Sequence, residues 1–405
     1  MTAGHPVRSV TVAGGGLAGF TVARELRANG FEGTVRIVDP EGVPYDRPPL
    51  SKGYLAGAVT AEAIRLAPEQ WYADNAVEVI EDSVAKLSPG SGTVLLAHGG
   101  EIASDAVVLA TGGTARRLPG ACSVPVLRDR ADADSLRAHL RPGARLVIVG
   151  AGLIGAEVAS TASAAGVAVT LVDPVPVPLV PALGPEIAEV LHRMHEERGV
   201  RVVRGKPVRS TIRSVEVERA HGTFLTLEAD VVLAAIGLDV DTTLAASAGL
   251  PVAGGVVVGP DGRTSNPAVY AAGDLARTRL PDGTLVRRGE HWESALHDGT
   301  AVARSLLGLP LPERPPAWFW SDRYGVHVEA TGSMAAPGST VLRGEHLAFR
   351  LDEDSRLVGC AAIDEGKALR AARRLIAGGA IVSARDLADP AVDLRRLAIR
   401  SLPPP

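Results

Sequence analysis

Two glycine clusters carry the clearest chemistry in this chain. Gly14-x-Gly16-x-x-Gly19 follows a short apolar run at 10–13, and Gly150-x-Gly152-x-x-Gly155 follows another at 146–149. In such a loop the first glycine permits a tight turn and the second lets a pyrophosphate approach the backbone. The third lets the following helix pack closely on its strand, and the helix N-terminus supplies positive potential. Leu17 and Ala18 open the helix after the first loop, and Ile154 lies in the opening turn after the second. Each loop is followed by an acid at the end of a second apolar run: Asp39, 20 residues after Gly19, and Asp173, 18 residues after Gly155. A carboxylate there accepts hydrogen bonds from ribose hydroxyls and repels a 2′-phosphate, so Asp173 points to NADH rather than NADPH. One such fingerprint is weak, because ordinary tight turns produce it. Two of them, each with flanking strand, helix and terminal acid, suggest one dinucleotide that stays and another that exchanges, which is hydride chemistry.

The elements that must position these residues repeat as well. A strand at 10–13, a helix at 17–29 stopped by Gly30, and a strand at 35–38 recur as a strand at 146–149, a helix from about 153 to 165 stopped by Gly166, and a strand at 169–172. Further buried-strand runs at 106–110, 231–235 and 269–272 end in Thr111-Gly112-Gly113, Ile236-Gly237 and Gly273-Asp274. A proline-rich stretch at 310–316 reads as a linker. Strand-like segments at 326–330 and 347–351 and a helix at 367–377 follow it. The expectation is an α/β protein with two Rossmann-like dinucleotide-binding domains and a small α+β C-terminal domain. The first domain would be discontinuous (1–121 and 246–315), the second would span 122–245, and the third 316–405.

Bulk properties exclude other classes. A chain of 405 residues with 46% hydrophobic and 22% charged residues is globular and long enough for two to three domains. A net charge of −4 gives no global basic field for nucleic acid or a membrane surface. The two cysteines, Cys122 and Cys360, lie far apart with no Cys-x-x-Cys, so neither a disulfide framework nor a redox pair of that spacing is expected. No metal site is expected. The segment 1–9 has no apolar signal core, and no stretch approaches the roughly 18 apolar residues of a membrane span, so the expected compartment is the cytoplasm.

One string goes beyond composition and spacing. Tyr45-Asp46-Arg47-Pro48-Pro49-Leu50-Ser51-Lys52 resembles the signature of FAD-dependent ferredoxin reductases of bacterial oxygenase systems, within the wider pyridine nucleotide–disulfide reductase superfamily. Ala110-Thr111-Gly112-Gly113, Tyr270-Ala271-Ala272-Gly273-Asp274, Glu290-His291-Trp292 and Trp318-Phe319-Trp320-Ser321-Asp322 extend the resemblance over nearly the whole chain. It implies FAD and NADH as cofactors and an iron–sulfur ferredoxin as electron acceptor. Gly14, Gly16 and Gly19 would then cradle the FAD pyrophosphate, with Asp39 on the adenosine ribose, Arg47 and Lys52 along the cofactor, and Lys52 at the flavin N5 edge. Val84 would meet the adenine, and Ala110, Thr111 and Gly112 would line the cofactor. Arg116 and Arg128 would meet its phosphates or nearby groups. Gly273 and Asp274 would bind the ribityl–phosphate region, and Glu290, His291 and Trp292 would present backbone to the flavin ring. Gly150, Gly152, Ile154, Gly155, Asp173 and Gly237 would bind the nicotinamide dinucleotide. Glu157 would pair with Lys52 near the nicotinamide, and Trp320 would cover the flavin.

Two features depart from that pattern. Pro-Val-Pro-Val-Pro-Leu-Val-Pro follows Asp173 where many relatives carry arginines, and Val240-Asp241 replaces a common Pro-Asn. Two other functions compete. An NADH oxidase, peroxidase or disulfide reductase would need a cysteine near the flavin, and residues 40–60 contain none. A redox-responsive binding protein resembling apoptosis-inducing factor would turn over slowly and keep a long-lived reduced complex. A basic stripe at Lys367, Arg370 and Arg374 on the C-terminal helix suggests where an acidic partner would dock.

Overall fold

Apolar runs that end in glycine become parallel strands whose two faces are both covered. The computed structural model describes residues 7–90, 92–287 and 289–401. The chain forms two units: residues up to Pro48 with Thr60–Thr114 and Leu238–Arg314, and Pro49–Val59 with Ala115–Gly237 and the chain from Pro315 onward.

In the first unit, five parallel strands run in the order Val269–Ala271, Ala106–Leu109, Ser9–Ala13, Thr34–Val38, Val77–Ile80. Val10, Val12, Val107, Val108 and Leu109 are fully buried, as expected for β-branched and aliphatic strands covered on both faces. The Leu17–Ala28 helix buries Phe20, Val22 and Leu26 against this core and stops at Asn29 and Gly30, whose φ of +80° suits the turn. The Trp292–Leu306 helix packs against it so closely that a Cβ on Gly299 would lie 2.5 Å from the Ala18 carbonyl oxygen. Only glycine fits that crossing.

The second unit repeats the design with four parallel strands, ordered Arg201–Arg204, Ala168–Asp173, Arg145–Val149, Val231–Ala234. Its C-terminal part is a five-stranded antiparallel sheet in the order Trp318–Arg323, Val326–Gly332, Leu357–Ile363, Leu347–Leu351, Ser339–Leu342. The Gly366–Ala377 helix covers part of this sheet with Leu369, Ala372 and Leu375. The Val180–Glu197 helix seats Leu183, Ile187 and Leu191 against Phe319, Val328 and Ala361. Among the described residues, no helix is long and apolar enough to cross a membrane, and no cluster of His, Cys, Asp and Glu could hold a metal ion.

Strand order reverses once in each parallel sheet. In the first it does so between Ser9–Ala13 and Ala106–Leu109, and in the second between Arg145–Val149 and Val231–Ala234. Ligands of open α/β sheets bind in the crevice at the carboxyl ends of such strands, and both glycine loops begin there.

Candidate active site

The two loops share one backbone design. Gly14 has φ +107° and Gly150 φ +104°, and a Cβ on either would lie 2.3 Å from a carbonyl oxygen, that of Ala110 or Ala235. The third glycines are closed by their own loops, since a Cβ on Gly19 or Gly155 would strike the Gly14 or Gly150 carbonyl oxygen. The middle glycines differ. A Cβ on Gly16 or Gly152 would meet nothing within 4 Å. Each caps its helix with no side-chain hydrogen bond, so no capping side chain occupies the helix N-terminus. That cradle fits a pyrophosphate, for which a helix N-terminus with free N–H donors is suited. Ala110, Thr111 and Gly112 stand beside the first loop as Ala235, Ile236 and Gly237 stand beside the second.

The acids take matching places. Asp39 accepts from Gly15 N at 2.6 Å and Glu41 N at 2.8 Å, while Asp173 accepts from Ala151 N and Val175 N, both at 2.8 Å. Each carboxylate thus braces its glycine loop and keeps lone pairs for ribose hydroxyls.

Of the other expected cofactor residues of the first unit, Ala18 and Gly273 lie side by side at the first loop. Leu17 and Ala18 form the opening turn of the helix, and a Cβ on Gly273 would lie 3.0 Å from the Ala18 side chain. Gly273 is further held by its N–H donating to Asp298 at 3.2 Å, and Asp274 follows it in a short 3-10 turn. Trp292 Nε1 donates to Asp46 Oδ1 at 3.0 Å, which ties the start of the Trp292–Leu306 helix to the Tyr45–Lys52 string. His291, the residue before that helix, is kept below the usual histidine pKa by burial, with Asp274 opposing. Glu290 is partly buried beside it. Arg47 pairs with Glu41 at 3.0 Å and lies over the Tyr45 ring. Burial disfavours its cation, but Tyr45 and Glu41 outweigh that and hold its pKa above the ordinary value. Val84 opens a separate antiparallel strand and packs in the cluster that contains Ala13 and Leu109.

Lys52, Arg116 and Arg128 belong to the second unit. Arg116 braces the turn beside the second glycine loop: its N–H donates to the Gly237 carbonyl at 2.9 Å. The Arg128 N–H donates to Asp132 at 2.8 Å, just before the helix that follows.

The second unit also holds the most concentrated polar cluster of the site. Glu157 lies in the Leu153–Ala164 helix two residues after Gly155, and it is 5% exposed. Lys52 Nζ donates to its Oε2 at 2.8 Å, so the expected pair is formed. Ser51 also donates to Oε2, at 2.5 Å, and Ser321 donates to Oε1 at 2.7 Å. Three hydrogen bonds, one of them from a cation, thus hold the Glu157 carboxylate in place. Thr161, one turn along the helix, donates to the Ser51 carbonyl at 2.8 Å and fixes the string that carries Lys52.

Ser51 and Ser321 were not among the expected site residues, nor was Arg323. The signal for the latter two lies in strand alternation. In Trp318–Arg323 the side chains of Phe319, Ser321 and Arg323 share one buried face, while Trp318, Trp320 and Asp322 share the other. Trp318 and Trp320 stack at 5.1 Å between ring centroids, and Trp318 Nε1 donates to Glu329 at 3.0 Å.

A protein with two dinucleotide cradles, terminal acids at both and a buried lysine–glutamate pair after the second is a two-nucleotide oxidoreductase in build. Comparison with known families makes this specific. Residues 8–299 match the pyridine nucleotide-disulphide oxidoreductase family and residues 318–398 match a reductase C-terminal domain; the chain belongs to that oxidoreductase family and uses FAD and NAD(H). Three solved structures are similar over nearly the full length. A chain of the covalent putidaredoxin reductase–putidaredoxin complex is 31% identical with a TM-score of 0.89, covering 98% of this chain and 99% of that one. A ferredoxin reductase for the CYP199A2 system from Rhodopseudomonas palustris is 31% identical with a TM-score of 0.89, covering 96% and 100%. Fdr9 is 33% identical with a TM-score of 0.85, covering 98% and 100%. Despite the family's name, Cys122 and Cys360 are both free, and Cys360 is wholly buried.

Proposed function

We propose that this chain is an NADH-dependent, FAD-containing ferredoxin reductase that passes electrons to an iron–sulfur ferredoxin serving an oxygenase. The observation that carries this reading is the full-length likeness to such reductases, which runs through the C-terminal sheet bearing Trp318–Arg323. Bound FAD supplies the conversion between a two-electron hydride and single electrons, which an iron–sulfur acceptor requires.

The chain's own residues bind, orient and neutralise. Gly14, Gly16 and Gly19 offer helix N–H groups to the FAD pyrophosphate, and Asp39 takes the adenosine ribose. Arg47, Val84, Ala110, Thr111, Gly112, Arg116, Arg128, Gly273 and Asp274 complete the binding surface, with Glu290, His291 and Trp292 at the ring. Gly150, Gly152, Ile154, Gly155 and Gly237 take NADH, and Asp173 rejects a 2′-phosphate. With FAD bound, Lys52 would hold its ammonium at the ring, where a positive charge favours reduction, and Glu157 fixes the position of Lys52. With FAD bound, Trp320 would cover the ring. The working compartment on this reading is the cytoplasm.

Anaerobic mixing of the FAD-loaded protein with NADH, followed by an iron–sulfur ferredoxin, tests the whole scheme. Rapid flavin bleaching and then rapid reoxidation by the ferredoxin are expected. Fast bleaching followed by a reduced state that persists for minutes with every ferredoxin tried would favour a redox-responsive binding protein instead.

A further inference from the structure

The Trp292–Leu306 helix carries an acid where its pattern calls for an apolar residue. Asp298 lies three residues after Ala295 and four before Val302, both of which pack in the core of the first unit, and it is 0% exposed. The next residue, Gly299, is the point at which this helix meets the Ala18 carbonyl, and that close crossing brings the Asp298 carboxylate within reach of the Gly273–Asp274 turn. The carboxylate bonds in two directions. Its Oδ2 accepts the Gly273 N–H at 3.2 Å, and its Oδ1 accepts from Arg314 Nη2 at 2.9 Å. The same guanidinium nitrogen donates to Ser294 Oγ at 3.0 Å, one helical turn before Asp298. Arg314 ends the first unit, and the stretch that carries it is tied to the same helix again where Arg304 Nε donates to the Pro310 carbonyl at 2.5 Å.

Aspartate is rarely buried so completely unless it is paired, because removing a carboxylate from water is costly. Packing alone would be served by an apolar side chain, as Val302 and Ala303 serve it on the same helix. What an acid adds is a charged acceptor for one backbone N–H, a firmer anchor than a neutral one. That N–H belongs to a crowded turn. Gly273 has φ +71°, and a Cβ on it would lie 3.0 Å from the Ala18 side chain. Ala18 lies between Gly16 and Gly19, so a shift of the turn is a shift against the first glycine loop.

We propose that Asp298 is a positioning residue for the cofactor: braced by Arg314, it fixes the Gly273–Asp274 turn against the first glycine loop, so that FAD enters a site already in shape. Arg314 thereby sets how tightly FAD is held, acting through Asp298 and the turn. The tie from Arg314 through Asp298 to Gly273 is a property of the protein alone. Its effect on FAD rests on the reading that places the ribityl–phosphate region at Gly273 and Asp274.

Amide hydrogen exchange of the full chain, followed by mass spectrometry, and FAD titration, followed by flavin fluorescence, read the two parts separately. The Arg314 side chain is 48% exposed, so Arg314→Met removes the cation with little loss of packing. In the FAD-free chain that variant should exchange the Gly273 amide about tenfold faster and leave Thr34–Val38, in the same sheet, unchanged. Its FAD dissociation constant should rise about tenfold, and Arg314→Lys should restore both quantities. Asp298→Asn, which keeps the shape and loses the charge, should weaken FAD in the same direction. Unchanged exchange at Gly273 in Arg314→Met overturns the proposal, and so does faster exchange with unchanged FAD affinity. Acceleration that extends equally to Thr34–Val38 marks a purely structural pair and overturns it too. The placement of FAD is checked on the wild-type chain, where saturating FAD should slow exchange both at Gly14–Gly19 and at Gly273. Slowing at the loop alone takes the turn out of the FAD site and overturns the reading beneath the proposal, whatever Arg314→Met does to the Gly273 amide.

Discussion

Replacing Asp173 by asparagine tests how the second loop chooses its nucleotide. Both carboxylate oxygens accept a backbone N–H at 2.8 Å, from Ala151 and Val175. Asparagine has one acceptor oxygen, so one of those N–H groups would face an NH₂ donor. Losing a charge-assisted bond of that kind costs about 1.5–3 kcal/mol, part of which water recovers at this partly exposed position. NADH kcat/KM should therefore fall about tenfold. NADPH is governed by the opposite term. A 2′-phosphate carrying close to two negative charges would meet the carboxylate at ribose-binding distance. In a partly solvated site that repulsion is about 2–4 kcal/mol, or roughly thirty- to several-hundred-fold in kcat/KM. Asp173→Asn removes the repulsion, so NADPH should gain, although no arginine directly follows Asp173 to attract the phosphate. The preference for NADH should narrow to about tenfold or less. Steady-state kinetics with ferricyanide as acceptor measure both ratios. A wild-type preference for NADPH, or a variant whose NADH-to-NADPH ratio stays within twofold of wild type, would refute the argument.

Other expectations follow from the same geometry. Lys52→Met should slow flavin reduction by NADH at least tenfold while FAD stays bound, as stopped-flow absorbance would report; a wild-type rate would exclude the ammonium from the chemistry. Trp320→Ala should lower turnover with ferredoxin more than turnover with ferricyanide, and equal losses would reduce Trp320 to packing against Trp318. Lys367, Arg370 and Arg374 are all exposed on the Gly366–Ala377 helix, and residues 361–405 carry eight Lys and Arg against five Asp and Glu. Reversing Arg370 and Arg374 to glutamate should slow ferredoxin reduction at low salt and spare NADH–ferricyanide turnover; identical salt profiles would move docking elsewhere. His195 binds no proton in the folded protein until pH approaches about 3, whereas in the unfolded chain it titrates near 6.5. Its contribution is therefore complete above about pH 6.5 and is lost as pH falls, so melting temperature should drop through that window, and less so in His195→Gln.

What could be read before the structure was local. Each glycine loop, its helix and its terminal acid fall within about 30 residues, where spacing and periodicity carry the geometry. The strands expected at 106–110, 231–235 and 269–272 form as Ala106–Leu109, Val231–Ala234 and Val269–Ala271 because continuous aliphatic runs suit a sheet covered on both faces. The Lys52–Glu157 pair spans 105 residues and was legible only through resemblance. Ser51 and Ser321 reach Glu157 across 106 and 164 residues, and Asp46 reaches Trp292 across 246. No sequence period encodes such contacts, since a fold decides which serine hydroxyl meets a buried carboxylate. Alternation in Trp318–Arg323 separates Arg323 from Trp320, yet it cannot say that the buried face meets Glu157.

The two loops share one backbone design, so the difference between a resident and an exchanging dinucleotide must lie in their surroundings. Asp39 is 9% exposed, and Gly15, Ala18 and Gly273 beside the first loop are buried. At the second loop Asp173 is only partly buried, Ile154 is 39% exposed, and Val175, which donates to Asp173, is 51% exposed. Large apolar side chains left in water beside a binding loop have little packing to lose and gain from being covered when a ligand arrives. A ligand in the second cradle would cover these exposed side chains. That difference supports the proposal that FAD takes the loop at Gly14–Gly19 and the exchanging nicotinamide the loop at Gly150–Gly155, an ordering that the near-identical glycine geometry by itself does not impose.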